Sequence, residues 1–167
     1  MQLAALKHRT ESEDCFVIDH SHVKIRLYTA KDDVEKVIVH YTDNYLPPKQ
    51  AKELEMEKIG SGQVNDYWGA TLTAPYHRIK YTFEIIGKDG SHVLFGDRSI
   101  EKFSDKKLRE DGMYFKVPYF HDIDRIKTPK WLKDIVWYQI FPERFANGDK
   151  SNDPANVKEW NPEDHPG

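Results

Sequence analysis

The sequence predicts an all-β fold: an immunoglobulin-like antiparallel β-sandwich, followed by the opening of a second domain. Three observations carry this. Apolar and polar residues alternate at period two in one stretch after another before residue 118, the pattern of half-buried strands. Gly, Pro, Asn and Asp punctuate these stretches at sandwich spacing. Then "IVWYQIF" (135–141) runs almost continuously apolar and aromatic, as a strand buried on both faces does.

The elements follow in order. In "HVKIRLYTA" (22–30), Val23, Ile25, Leu27 and Thr29 share one face, and Lys24, Arg26 and Tyr28 the other. "VEKVIVHYT" (34–42) sets Val37, Val39 and Tyr41 against Lys36, Ile38 and His40. "KQAKELEMEKI" (49–59) is rich in helix formers, yet Leu54 and Met56 alternate with Glu53, Glu55 and Glu57. It is read as a short edge strand after a turn at Pro47-Pro48. "DYWGATLT" (66–73) aligns Trp68, Ala70 and Leu72. "RIKYTFEIIG" (78–87) sets Ile79, Tyr81, Phe83 and Ile85 opposite Lys80, Thr82 and Glu84. "KDG" (88–90) turns it into "SHVLFG" (91–96), a hairpin signal. "EKFSDKKLRED" (101–111) balances four positive against four negative side chains and reads as a solvated loop. "MYFKV" (113–117) is a last short strand. A connector follows, in which Pro129 can begin a helical turn through Trp131 and Leu132. A lone strand at 135–141 could neither satisfy its backbone nor bury its faces. The expected organisation is therefore a sandwich over 1–120, a linker over 121–134, and the start of another domain over 135–167.

Composition narrows the function classes. Hydrophobic residues make up 38% of the 167, charged residues 32%, and the formal net charge is −3. That balance generates no strong field for nucleic acid or an anionic membrane. Cys15 is the single cysteine, so no internal disulfide can form. In "DCFVID" it alternates with Phe16 and reads as a small buried side chain. The N-terminal apolar patch is too short for a signal or a membrane span, and the chain reads as cytoplasmic. The eight histidines show no zinc spacing, and His20 and His22 are expected in solvent. No phosphate loop and no Ser/His/Asp set stands out.

Two stretches carry chemistry. "NGDKSND" (147–153) places Asn147, Asp149, Asn152 and Asp153 within seven residues, and Gly148 lets the loop curl. Hard cations such as Ca²⁺ take six to eight oxygens from loops of this kind. The spacing is not that of an EF-hand, and Asn-Gly and Asp-Pro equally serve as plain turns. In "YTDNYLPP" (41–48), Tyr45 can stack on the apolar face of a sugar, or pack on its own prolines. Trp68 is expected in the core, and Tyr76, beside Pro75, in a turn.

"VWYQIFPERFANGDKSNDP" (136–154) closely resembles the first barrel strand and following loop of the neopullulanase, cyclomaltodextrinase and maltogenic amylase group of the α-amylase superfamily. "LYTAKDDVEKVIVHYTDNY", "DYWGATL", "RIKYTFEI" and "TPKWLKDIVWYQIFPERF" are similar to that group's N-terminal starch-binding-type module and its junction to the barrel. The resemblance implies that 135–167 begin a (β/α)₈ barrel, a fold of about 250 residues. It implies a retaining hydrolase of α-1,4-glucosidic bonds in cyclodextrins, pullulan or starch oligosaccharides. Its catalytic carboxylates would lie on later barrel strands, so no catalytic residue is assigned here. Trp131 and Trp137 would pack at the junction, with Tyr138 and Gln139 on the first barrel strand. Glu143 is read as pairing with Arg144 or a neighbour. The resemblance implies Ca²⁺ at Asn147, Asp149, Asn152 and Asp153. It implies a homodimer through the N-terminal module, with Tyr45 reaching into the partner's substrate cleft. An independent starch-binding module and a plain interaction domain remain as alternatives, though neither gives 128–154 a purpose.

Overall fold

The period-two stretches become two antiparallel sheets in the computed structural model, which describes residues 1–125, 127–141 and 146–157. Met1–Ile126 and Lys127–Gly167 are separate compact units. In the first, the strands are β1 (Cys15–Val17), β2 (His22–Ala30), β3 (Val34–Thr42), β4 (Lys52–Glu55), β5 (Glu57–Ser61), β6 (Asn65–Thr73), β7 (Ile79–Gly87), β8 (His92–Phe95), β9 (Ile100–Lys102) and β10 (Phe115–Val117). One sheet has the order β1-β2-β6-β5. The other has the order β4-β3-β7-β8-β9, and β10 also pairs with β7.

The core lies between the sheets, on the faces that alternation predicts. Val23, Ile25 and Leu27 of β2 are fully buried, as are Val37 and Val39 of β3. So are Leu72 of β6 and Tyr81, Phe83 and Ile85 of β7. Each such aliphatic or aromatic side chain contributes roughly 1.5–3 kcal/mol by leaving water. Trp68 joins the core, and its Nε1–H donates to the Thr29 hydroxyl at 3.1 Å. Cys15 is buried and Phe16 is exposed, as expected.

The 49–59 stretch resolves into two strands, not one. A 3₁₀ turn over Pro48–Gln50 leads into β4, which pairs with β3. The chain then changes sheets, and β5 pairs with β6. Met56 sits at the crossing, 3% exposed, and its N–H donates to the Val37 carbonyl at 2.9 Å. Its alternation with the glutamates marks this anchor.

Three expectations are corrected here. The first concerns 101–111, which is not simply a loop. It contains the end of β9 and a helical turn, α1 (Asp105–Leu108), capped by the Ser104 hydroxyl accepting from the Lys107 N–H. Phe103, Leu108, Met113 and Tyr114 pack with Leu94 as a second apolar cluster. The second follows from it. β7 has neighbours along both edges and cover on both faces, so Lys80, Thr82 and Glu84 are buried. Lys80 meets Asp111 at 2.5 Å. Glu84 receives His40 Nε2 at 2.6 Å and His92 Nε2 at 2.7 Å. His40 is therefore buried among polar partners, although its strand position points it outward. His22, expected in solvent, is half-buried with Nδ1 2.8 Å from Asp19.

The N-terminal residues add a plug that alternation does not reveal. Lys7 and Tyr28 exchange backbone hydrogen bonds, which place His8 inside the sandwich. Its ring meets Tyr81, Phe83 and Phe115 edge to face.

In the second unit, Pro129 precedes a 3₁₀ turn over Lys130–Asp134, as read from the sequence. Residues 135–141 form no strand. Val136, Trp137 and Tyr138 are 94%, 74% and 76% exposed, with Trp137 tilted against Trp131 at 6.4 Å. A segment suited to burial on both faces needs a strand on each side, and no strand among the described residues pairs with it. Glu143 and Arg144 lie outside the described residues. No helix among the described residues is long and apolar enough to cross a membrane.

Candidate functional site

β3 and β7 are paired neighbours, with Thr42 opposite Lys80. The loop leaving β3 and the loop entering β7 therefore emerge at the same end of the sheet. That register brings together Asp43 and Arg78, which are far apart in sequence. Arg78 Nε donates to both Asp43 oxygens, at 2.9 and 3.1 Å. Asp43 also accepts from the Tyr45 N–H at 2.8 Å, an Asx turn that sets the direction of the loop. Asn44 Nδ2 donates to the Val117 and Pro118 carbonyls at 3.0 and 3.3 Å, tying the loop down.

Two tyrosines stand over the resulting guanidinium. Arg78 Cζ lies 4.5 Å from the centre of the Tyr45 ring and 5.4 Å from that of Tyr76. Both are within cation–π range. Tyr45 is 81% exposed and Tyr76 62%. Tyr45 thus stacks on a held cation and presents its ring to solvent. Tyr76 projects from the β6–β7 connection, where His77 has a φ of 57°. That left-handed residue costs about 1 kcal/mol or more and persists because it is tied in place. Its N–H donates to the Ala74 carbonyl, its carbonyl accepts from Phe120 N–H at 2.8 Å, and its ring stacks on Phe120. A cleft of about 200 Å³ adjoins Tyr76 and Arg78, with Tyr41, Gln50 and Thr73 among its walls.

Sequence reading singled out Tyr45 and mentioned Tyr76, but it missed Arg78 and the role of Asp43. Arg78 reads only as the polar start of a strand. No local signal could have found the pair, because register creates it.

The loop 147–153 is a set of local turns. Asn147 Nδ2 donates to Asp153 at 2.7 Å, and the Asn147 oxygen accepts from the Asp149 N–H at 3.1 Å. Asp149 caps a 3₁₀ turn over Lys150–Asn152, accepting from Ser151 N–H and Oγ–H at 2.9 and 2.7 Å. The Ser151 hydroxyl and N–H hold the Asp149 carboxyl below its ordinary value. Asn147 and Asp153 are thus brought together, while Asp149 is turned to Ser151. Among the described residues, no group of three or more His, Cys, Asp or Glu is arranged to hold a metal. The four side chains offer oxygens alone, the donor kind that suits a hard cation.

Comparison with known proteins places this geometry in context. Residues 1–121 match the family described as alpha amylase, N-terminal ig-like domain. The chain is 35% identical to the intracellular maltogenic amylase of Bacillus subtilis (strain 168) over 167 residues, 98% of this chain and 28% of that one. It is 37% identical to neopullulanase 2 of Thermoactinomyces vulgaris over 161 residues, 96% of this chain and 27% of the other. A solved cyclomaltodextrinase structure superposes with a TM-score of 0.76 at 30% identity, covering 96% of this chain and 27% of its own. The chain thus spans little more than a quarter of the length of each of these relatives.

Proposed function

The chain belongs to the family of alpha-amylase N-terminal Ig-like domains, and from that premise we propose that it is the N-terminal part of an α-glucan hydrolase. The reaction is retaining cleavage of α-1,4-glucosidic bonds in cyclodextrins, pullulan or starch oligosaccharides. One observation carries the reading. Similarity to maltogenic amylases and neopullulanases does not stop at residue 121, where the Ig-like family ends. It covers 96–98% of the chain and so runs into the second unit. A module with no enzyme attached would give no reason for that continuation.

Retaining hydrolysis uses one carboxylate as nucleophile and another as acid and base, about 5–5.5 Å apart. In this reading that pair belongs to barrel strands beyond these 167 residues. Residues 135–141 then supply the first barrel strand, which forms when neighbouring strands cover both its faces. The sandwich serves dimerisation, and Tyr45 helps to shape the cleft in which the partner subunit binds glucan. Asn147, Asp149, Asn152 and Asp153 would help to hold Ca²⁺, which would supply a structural tie for this loop and no part of the bond cleavage. The exposure of the Tyr45 ring and the oxygen-only donor set are consistent with these roles.

The test compares two samples on β-cyclodextrin. The complete gene product should release reducing ends, and the 167-residue chain should not. Turnover by the chain alone would refute the placement of the carboxylates. Sedimentation of the complete product with and without residues 1–121 reads the dimer.

A further inference from the structure

We propose that the cavity between the N-terminal segment and β2 is a binding site for an alkylammonium ligand, with Asp14 as the acceptor that fixes it. This site stands apart from the Tyr45 loop and does not rest on the glucan reading.

The chain builds the cavity by meeting β2 twice. Lys7 exchanges backbone hydrogen bonds with Tyr28 at 3.0 and 3.1 Å, and the Asp14 carbonyl accepts from the Arg26 N–H at 2.7 Å. Between these anchors the segment bends through Ser12, whose φ of 57° is left-handed. Both arms of the bend therefore border one cavity of about 520 Å³, with Leu6, Arg9, Glu13, Asp14, Tyr28 and Phe95 among its walls. That volume suits a small molecule.

Asp14 is 4% exposed, and its Oδ1 is buried without a hydrogen-bond partner. A buried acceptor left without a donor is costly and rare. Arg9 does not meet the need. Its Nε stands 3.9 Å from Asp14 Oδ2, and its Nη atoms stand 3.9 Å from Glu11 and 3.7 Å from Glu13, all beyond hydrogen-bond length. Its side chain is 60% exposed and free to swing outward. Asp14, Glu11 and Glu13 outnumber Arg9 and Lys7, so the cluster keeps an excess negative charge. His8, also in the wall, adds no positive charge at neutral pH, because burial holds it in the neutral form. The excess selects a cation. An ammonium brings the N–H that Asp14 Oδ1 lacks, and the charge strengthens that bond. Among the described residues, no group of three or more His, Cys, Asp or Glu is arranged to hold a metal. Leu6 and Phe95 instead give the cavity an apolar wall, which suits a methylene chain.

The experiment titrates cadaverine, a linear diamine, into the 167-residue chain at neutral pH and about 0.15 M salt, followed by two-dimensional NMR. Saturable shifts at Asp14, His8 and Tyr28 are expected. Pentanediol, of equal length and uncharged, should shift none of them. Asp14→Asn keeps the shape and removes the charge, and should weaken binding about tenfold, equivalent to ~1.4 kcal/mol. Arg9→Gln removes the competing cation and should tighten binding about threefold, a change of opposite sign that a merely structural Asp14 would not produce. Glu35→Gln, which alters an exposed acid on β3, should bind as wild type. Equal binding of the diol, unchanged affinity in Asp14→Asn, or displacement of the diamine by an equal concentration of Ca²⁺ would each overturn the assignment. So would shifts that spread over the acidic surface without saturating. Should Asp14→Asn fail to fold, the diol comparison and Arg9→Gln still decide the matter.

Discussion

His8 should make this sandwich lose stability as the pH falls from neutral towards about 4. Its ring is 8% exposed and sits among Tyr81, Phe83 and Phe115. Nδ1 lies 2.7 Å from the Arg26 carbonyl, so it must carry the proton and donate. Nε2, 2.8 Å from the Tyr81 hydroxyl, then accepts. Burial pushes His8 down to about 4 from an ordinary 6.5, against the pull of the Arg26 carbonyl. A second proton would face the Tyr81 O–H, whose own ionisation is pushed up by burial. The sign follows. The unfolded chain takes up a proton near 6.5 and the folded chain only near 4, so stability is full above 6.5 and drains between the two. At ~1.4 kcal/mol per pH unit, the interval is worth roughly 3 kcal/mol. Asp66 and Asp111, held below their ordinary 3.8, lose their contribution mainly below that value. Urea unfolding followed by tryptophan fluorescence from about pH 7.5 to about pH 4 measures the slope. His8→Phe keeps a ring in place but cannot titrate. It should be less stable at neutral pH and much flatter with pH. Equal losses in the two proteins, or an NMR titration of His8 near its ordinary value, would refute the reasoning.

Two further perturbations test the packing. A Cβ at Gly96 would lie 2.1 Å from the Met113 carbonyl oxygen and 2.8 Å from its carbon, so Gly96→Ala must move backbone. It should cost on the order of 3 kcal/mol or prevent folding, read as the thermal midpoint. Asp66 has a fully buried carboxylate that accepts from the Ser61 hydroxyl, the Asp32 N–H at 2.9 Å and Lys58 at 2.7 Å. Burial opposes its ionisation, but Lys58, Ser61 and Asp32 outweigh that and hold its carboxyl low. Asp66→Ala should cost about 1–3 kcal/mol at neutral pH, with the difference from wild type shrinking as the pH falls through 3.8 and below.

Alternation in 22–30, 66–73 and 78–87 specified which faces meet in the core, because side chains in a strand alternate whatever their partners are. The turn at 88–90 was equally legible, with Gly90 at a φ of 80° as a hairpin of this kind requires. Local patterns could not report cover supplied from elsewhere in the chain. Lys80 and Glu84 look like solvent-facing residues until the segment at 103–114 folds over them. Helix-forming glutamates at 53–57 concealed a strand that changes sheets, because burial of a single side chain, Met56, decides the crossing. The strand expected at 135–141 shows the same limit in reverse. Its composition calls for two neighbours, and composition cannot provide them.

By itself the sequence determined the strand faces, the sandwich, the family and Tyr45 as a candidate contact, since each is written in residues close together along the chain. Only the tertiary structure decided that Asp43 and Arg78 meet, that one cation holds two open rings, and that His8 fills the core. Those depend on strand register and on closure between distant segments, and pairings of that kind leave no periodic trace in the residues that make them.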